Sequence, residues 1–178
     1  PEEDREADTD LFSPKKKKSK GDTAASPVSK ENLAIAKSWL ASSDEYNLLV
    51  NGTAITAFPV YYQNDLALLR QSLRIVQAGT EVAEVKGKDL IPAHGLAMSR
   101  LLKTSVFSTE ALTYEQAIAY LRKEAIVLPP SVPKGYVLVT YKEIPLGFVK
   151  NIGNRANNLY PQEWRIRSGY LPDDIRTL

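Results

Sequence analysis

Short apolar runs of strand length, each closed by turn residues, constrain this chain more than any other feature. Tyr46 to Val50 and Ala54 to Phe58 flank Asn51-Gly52, a dipeptide that tolerates the left-handed backbone of a tight hairpin. Leu73 to Val76 and Glu81 to Val85 read as a second hairpin around Ala78-Gly79, followed by a polar turn at Lys86-Gly87-Lys88-Asp89. Gly135 to Tyr141 alternates, with Val137, Val139 and Tyr141 on one face and Tyr136, Leu138 and Thr140 on the other. A turn at Lys142-Glu143 leads into Ile144 to Val149. Ala125 to Leu128 is a short run stopped by Pro129 and Pro130. Helical spacing appears between these runs. Ser29 is an N-cap ahead of Leu33, Ile35, Ala36, Trp39 and Leu40. Asp65 to Leu73 and Ala93 to Leu102 read as further helices. Thr113 followed by Gln116 is a capping-box pattern for a helix burying Ala117, Ile118 and Leu121. Such a mixture predicts an α+β fold in two small domains, residues 28–108 and 109–178, the second a compact mixed β-barrel with a short helix.

Bulk properties narrow the function. The chain has 178 residues, 43% hydrophobic and 25% charged, enough for one ordinary domain or two small ones. No stretch approaches the roughly 20 apolar residues of a membrane helix. No basic segment leads into an apolar run, so no signal peptide is expected. Cysteine is absent, which removes disulfides, thiolate metal sites and a thiol nucleophile from this chain. With His94 as the single histidine, a zinc site is not expected, and a structural role fits that residue better than catalysis. The chain starts at Pro1 and reads as a piece of something longer. Residues 1–27 read as a flexible linker: an acidic block (Glu2, Glu3, Asp4, Glu6, Asp8, Asp10) and then Lys15 to Lys18 and Lys20. The formal net charge is only +2, but the remainder without the acidic block is clearly basic, which suits an anionic partner.

One segment concentrates suitable chemistry. It runs from Pro145-Leu146-Gly147-Phe148-Val149-Lys150-Asn151 through Gly153-Asn154-Arg155-Ala156-Asn157-Asn158-Leu159-Tyr160-Pro161. Gly147 inside a strand marks a bulge or the close approach of another group. Lys150 and Arg155 are cations near a turn, Asn157 and Asn158 supply amides, and Tyr160 offers a ring for base stacking. Lys142 precedes the segment, and Arg165 and Arg167 follow it. A plain hairpin loop with structural asparagines and a packed tyrosine fits the same residue types. Arg100 and Lys103 read as a solvated helix face, and Asp44-Glu45 and Asp173-Asp174 as exposed acids.

Residues Thr113 to Arg167 resemble the PUA-like RNA-binding domain at the C-terminus of RNA cytosine-5 methyltransferases of the Sun/nucleolar-protein family, small-subunit ribosomal methyltransferase F type. The likeness rests on the helix Tyr114 to Leu121, the strand Gly135 to Tyr141, Pro145-Leu146-Gly147-Phe148-Val149-Lys150, and above all Asn158-Leu159-Tyr160-Pro161. Gln77-Ala78-Gly79 through His94 resembles the preceding C-terminal domain of the same enzymes. The family commonly has lysine where Asn157 stands, so one phosphate contact is absent. The resemblance implies an RNA-binding region with Lys142, Lys150, Arg155, Asn157, Asn158, Tyr160, Arg165 and Arg167 facing structured RNA, ribosomal first and transfer RNA second. It implies no catalytic residue or cofactor here. The family's two cysteines and its S-adenosylmethionine-binding turn would lie in a methyltransferase domain upstream. A monomer acting in the bacterial cytoplasm is expected. The alternative is an intramolecular scaffold that orients the catalytic domain without touching RNA.

Overall fold

Ser29 opens the first described helix: its side-chain oxygen accepts a hydrogen bond from the Asn32 N–H at 3.1 Å. The computed structural model describes residues 28–169, so the expected linker and Asp173-Asp174 lie outside the described residues. Helix α1 (Lys30–Ser38) buries Ala36 and delivers Trp39 and Leu40 into the core, while Ile35 turns outward.

The first sheet has the strand order β1-β2-β3-β4 and is antiparallel throughout. Strands β1 (Tyr46–Asn51) and β2 (Ala54–Pro59) form the expected hairpin, but its turn falls one residue later. Asn51 pairs with Ala54, so Gly52 and Thr53 make the loop and Gly52 carries the positive φ of +60°. Helix α2 (Gln63–Ser72) follows and buries only Leu66.

The expected hairpin at Ala78-Gly79 does not form. Residues 73–76 have no strand partner, and Val76 is 94% exposed. Gly79 is needed for another reason: a Cβ there would lie 2.2 Å from the Ala57 carbonyl oxygen. Strand β3 (Thr80–Lys86) instead pairs with β2 and with β4 (Asp89–Pro92), through the turn read at Lys86 to Asp89. The helix expected over residues 93–102 shortens to α3 (His94–Ala97). Ala93 gives it no side-chain cap, and Leu101 and Leu102 are drawn away to the end of α1, where Leu102 bridges Leu40.

The second sheet, β5-β6-β7-β8, is mixed. Strand β5 (Ser108–Ala111), which local pattern did not disclose, runs parallel to β6 (Gly135–Tyr141). Strand β6 pairs antiparallel with β7 (Ile144–Asn151), and β7 with β8 (Ala156–Asn158). Residues 125–128 supply one bridge, Ile126 to Ala156, rather than a strand. Among the described residues no pairing joins β8 back to β5. Helix α4 (Tyr114–Leu121) covers one face, and its capping box forms as read: Thr113 and Gln116 each accept the other's backbone N–H.

The two faces of β6 serve different cores. Val137 and Val139 pack with Ala117 and Tyr120 of α4. Leu138 and Phe148 instead join Trp39, Ile55, Val82 and Leu96 of the first unit. Phe107 links them, its ring 5.2 Å from Trp39 and 4.8 Å from Phe148. Gly147 sits where the register of β6 and β7 shifts, with φ +144°. A Cβ there would lie 2.1 Å from the Tyr120 hydroxyl and 2.9 Å from His94 Nδ1, so this glycine marks both a bulge and a close approach.

Candidate nucleic-acid interface

The β6–β7 hairpin separates the residues that sequence placed together. Lys142 and Glu143 form its tip, both with positive φ (48° and 67°), the primed-turn geometry that matches strand twist. Lys142 is exposed, with its ammonium 5.7 Å from the Tyr141 ring centroid. Lys150 and Arg155 lie at the other end of the hairpin, roughly 20 Å away at strand rise. Lys142 is therefore not part of one patch with them.

Lys150 is not an open cation. Its Nζ donates to Asp89 Oδ2 at 2.7 Å and lies 5.6 Å from the Tyr136 ring, so it ties β7 to β4 of the first sheet. The hydrogen bond to Asp89, followed by the influence of Tyr136, raises its pKa. The carboxylate already supplies the partner that a phosphate was expected to provide.

Asn158 is committed to the backbone. Its amide donates to the Tyr120 carbonyl at 2.8 Å, in the last turn of α4, and to the Glu124 carbonyl at 2.9 Å, in the loop that follows. Its oxygen accepts the Tyr160 N–H at 2.8 Å. Asn151 does similar work, donating to the Val132 and Pro133 carbonyls and accepting from Gly153. Tyr160 does not present a free ring. It is packed edge to face with His94 at 5.1 Å and with Tyr120 at 5.4 Å, and its carbonyl accepts from Lys123. For Asn158 and Tyr160 the geometry is that of a structural hairpin.

Arg155, Asn157, Arg165 and Arg167 remain exposed. Lys134, which sequence reading passed over, joins Arg155: its aliphatic stem lies over Gly153, where a Cβ would meet Cε at 2.9 Å. A second cationic group forms where the chain after Pro161 docks on α4. The Ile166 N–H donates to the Leu121 carbonyl at 2.9 Å, and the Arg122 guanidinium donates to the Ser168 carbonyl at 2.9 Å. Arg122, Arg165 and Arg167 then line a groove of about 330 Å³ that also holds Glu124. Arg122 stands at the end of a helix 43 residues before Arg165, so no local spacing announces it. Oriented guanidinium groups along such a groove suit phosphate oxygens.

His94 lies between the rings of Tyr160 and Trp164, and its Nδ1 is buried without a partner. Burial, and then the nearby Lys123 ammonium, lower its pKa. Among the described residues no cluster of three or more histidines or acids could hold a metal ion, and no helix is long and apolar enough to cross a membrane.

Residues 107–166 match the family model described as the methyltransferase RsmF PUA domain. The chain is similar to the ribosomal RNA small subunit methyltransferase F of Enterobacter sp. (strain 638), at 29% identity over 138 residues. That alignment covers 78% of this chain and 27% of the relative. It is also similar to the protein of the same name from Klebsiella pneumoniae (strain 342), 28% identical over 99 residues, covering 56% of this chain and 20% of that one. The matched part thus spans about a quarter of the length of these curated relatives.

Proposed function

We propose, from the match of residues 107–166 to the methyltransferase RsmF PUA domain model, that this chain is the RNA-gripping region of a ribosomal RNA cytosine-5 methyltransferase. It holds structured RNA while chemistry happens on a catalytic domain elsewhere in the parent protein. That domain would carry the cysteines and the S-adenosylmethionine. Ribosomal RNA is the first choice of partner and transfer RNA the second, with the protein acting as a cytoplasmic monomer. The proposed boundaries are 28–108 and 109–178.

The observation that carries this reading is a pair of cationic groups around the second sheet, exposed except for half-buried Arg122. One is Lys134 with Arg155 beside Asn157; the other is Arg122, Arg165 and Arg167. Lys142 adds a separate cation at the hairpin tip. Lys150 is paired with Asp89, and Asn158 and Tyr160 are tied to neighbouring backbone and rings.

One observation favours the scaffold alternative. Helix α2 exposes Leu68 and Leu69 beside Leu73 and Tyr62, an apolar face suited to another protein surface rather than to RNA.

A gel-shift titration of structured ribosomal RNA across salt concentrations separates the two. Affinity is expected to fall steeply with salt. Arg155→Ala, Arg165→Ala and Arg167→Ala should each weaken binding and reduce the log–log salt slope by about one. Lys150→Ala should change the slope less, because Asp89 already neutralises that charge. Binding that is absent or indifferent to salt overturns the RNA reading and leaves the scaffold.

A further inference from the structure

A cleft of about 630 Å³ opens between the two units, large enough for a small organic ring system. One wall is β3, with Glu81, Glu84 and Lys86. The register shift in the β2–β3 pairing, opposite Ile55 and Thr56, lets Glu81 share this wall with Glu84 although they are three positions apart. The other wall is the segment after Tyr160, with Glu163 and Trp164. Trp164 is held edge to face by His94 at 5.4 Å, yet 60% of it is exposed. It is a positioned aromatic surface with nothing stacked on it among the described residues.

The charges select what can enter. Three carboxylates face two ammonium groups, and one of those, Lys123, is already hydrogen-bonded to the Tyr160 carbonyl. A phosphate would meet a net negative wall. An uncharged ring with amino hydrogens would meet acceptors and an indole. Arg165 directly follows Trp164 in the chain and lines the groove at the end of α4 rather than this cleft. We propose that this cleft receives one unpaired, amino-bearing nucleobase of the RNA (cytosine, adenine or guanine rather than uracil), stacked against Trp164 with its exocyclic amine toward Glu81, Glu84 or Glu163. The proposal rests on the RNA-binding reading and deepens it by naming a base-accepting site.

Tryptophan emission tests it in the whole chain, since the other tryptophan, Trp39, is buried. The probes are decamers of cytidylate, adenylate and uridylate, the matching mononucleotides, and N-acetyl-arginine amide as a cationic side-chain mimic. The expected result is quenching by oligo(C) and oligo(A), with affinity at least several-fold above oligo(U). Trp164→Ala should weaken oligo(C) binding about tenfold, and Trp164→Phe should restore part of it. Decamers that bind without quenching, and equally well to Trp164→Ala, overturn the site while the RNA-binding reading stands. Equal response to mononucleotides assigns the cleft to a free nucleotide, and quenching by the arginine amide alone assigns it to a protein side chain. Either result overturns the proposal. If neither the decamers nor structured ribosomal RNA bind at all, the RNA-binding reading falls as well.

Discussion

A histidine between two aromatic rings has a measurable acid–base signature. His94 is pushed below its ordinary pKa of 6.5, first by burial and then by Lys123. The unfolded chain therefore binds that proton more readily than the folded one. The stability contributed by neutral His94 is complete above about pH 6.5 and declines as pH falls from there toward the folded value. Melting temperatures between pH 8 and pH 5 should fall on the acid side, and His94→Gln should flatten that part of the curve; a parallel curve for the variant contradicts this. The two rings that His94 meets, Tyr160 and Trp164, lie 66 and 70 positions away and could not be read from local sequence. Nor could the fate of Lys150. Its neutralising Asp89 lies 61 positions away, and only the docking of two sheets brings them to 2.7 Å. The types at Asn158 and Tyr160 fit either a structural or a binding role, and their distant partners, Tyr120, Glu124 and His94, are not visible in local sequence.

Elements whose signals are local were legible, and those whose bonds come from far away were not. The capping box at Thr113, the N-cap at Ser29 and the alternation of β6 each depend on residues within a few positions, and each forms. Strands β4 and β5 are four residues long, too short for a periodicity, and exist because β3 and β6 offer partners. Residues 73–76 have the apolar content of a strand but no neighbour to pair with, so composition misleads there. Helix α4 shows the same dependence at its end. Asn158, 38 residues beyond Tyr120, donates to a carbonyl of its last turn. Asn158→Ala removes the side-chain partner of the Glu124 carbonyl and of the Tyr160 N–H, while the Tyr120 carbonyl keeps its backbone donors, and is expected to cost about 2 kcal/mol in chemical denaturation. Asn157→Ala, exposed on the same strand, should change stability little.

Runs of strand length could be read from sequence, but not the core that the two sheets share. Leu138 and Phe148 belong by chain position to the second sheet and by packing to the first. Phe148→Ala should cost about 3–5 kcal/mol. Because that side chain joins both units, unfolding should remain a single transition, with emission from buried Trp39 and far-ultraviolet circular dichroism coinciding. Separate transitions would mean that the units are stable apart. Strand β6 cannot easily drift, since α4 fits against one side of it and the first sheet against the other. Arg155, Arg165 and Arg167 carry no such burden, standing outside both cores. On the RNA-binding function proposed above, the outer charges can therefore be rewritten one at a time while the framework beneath keeps its shape.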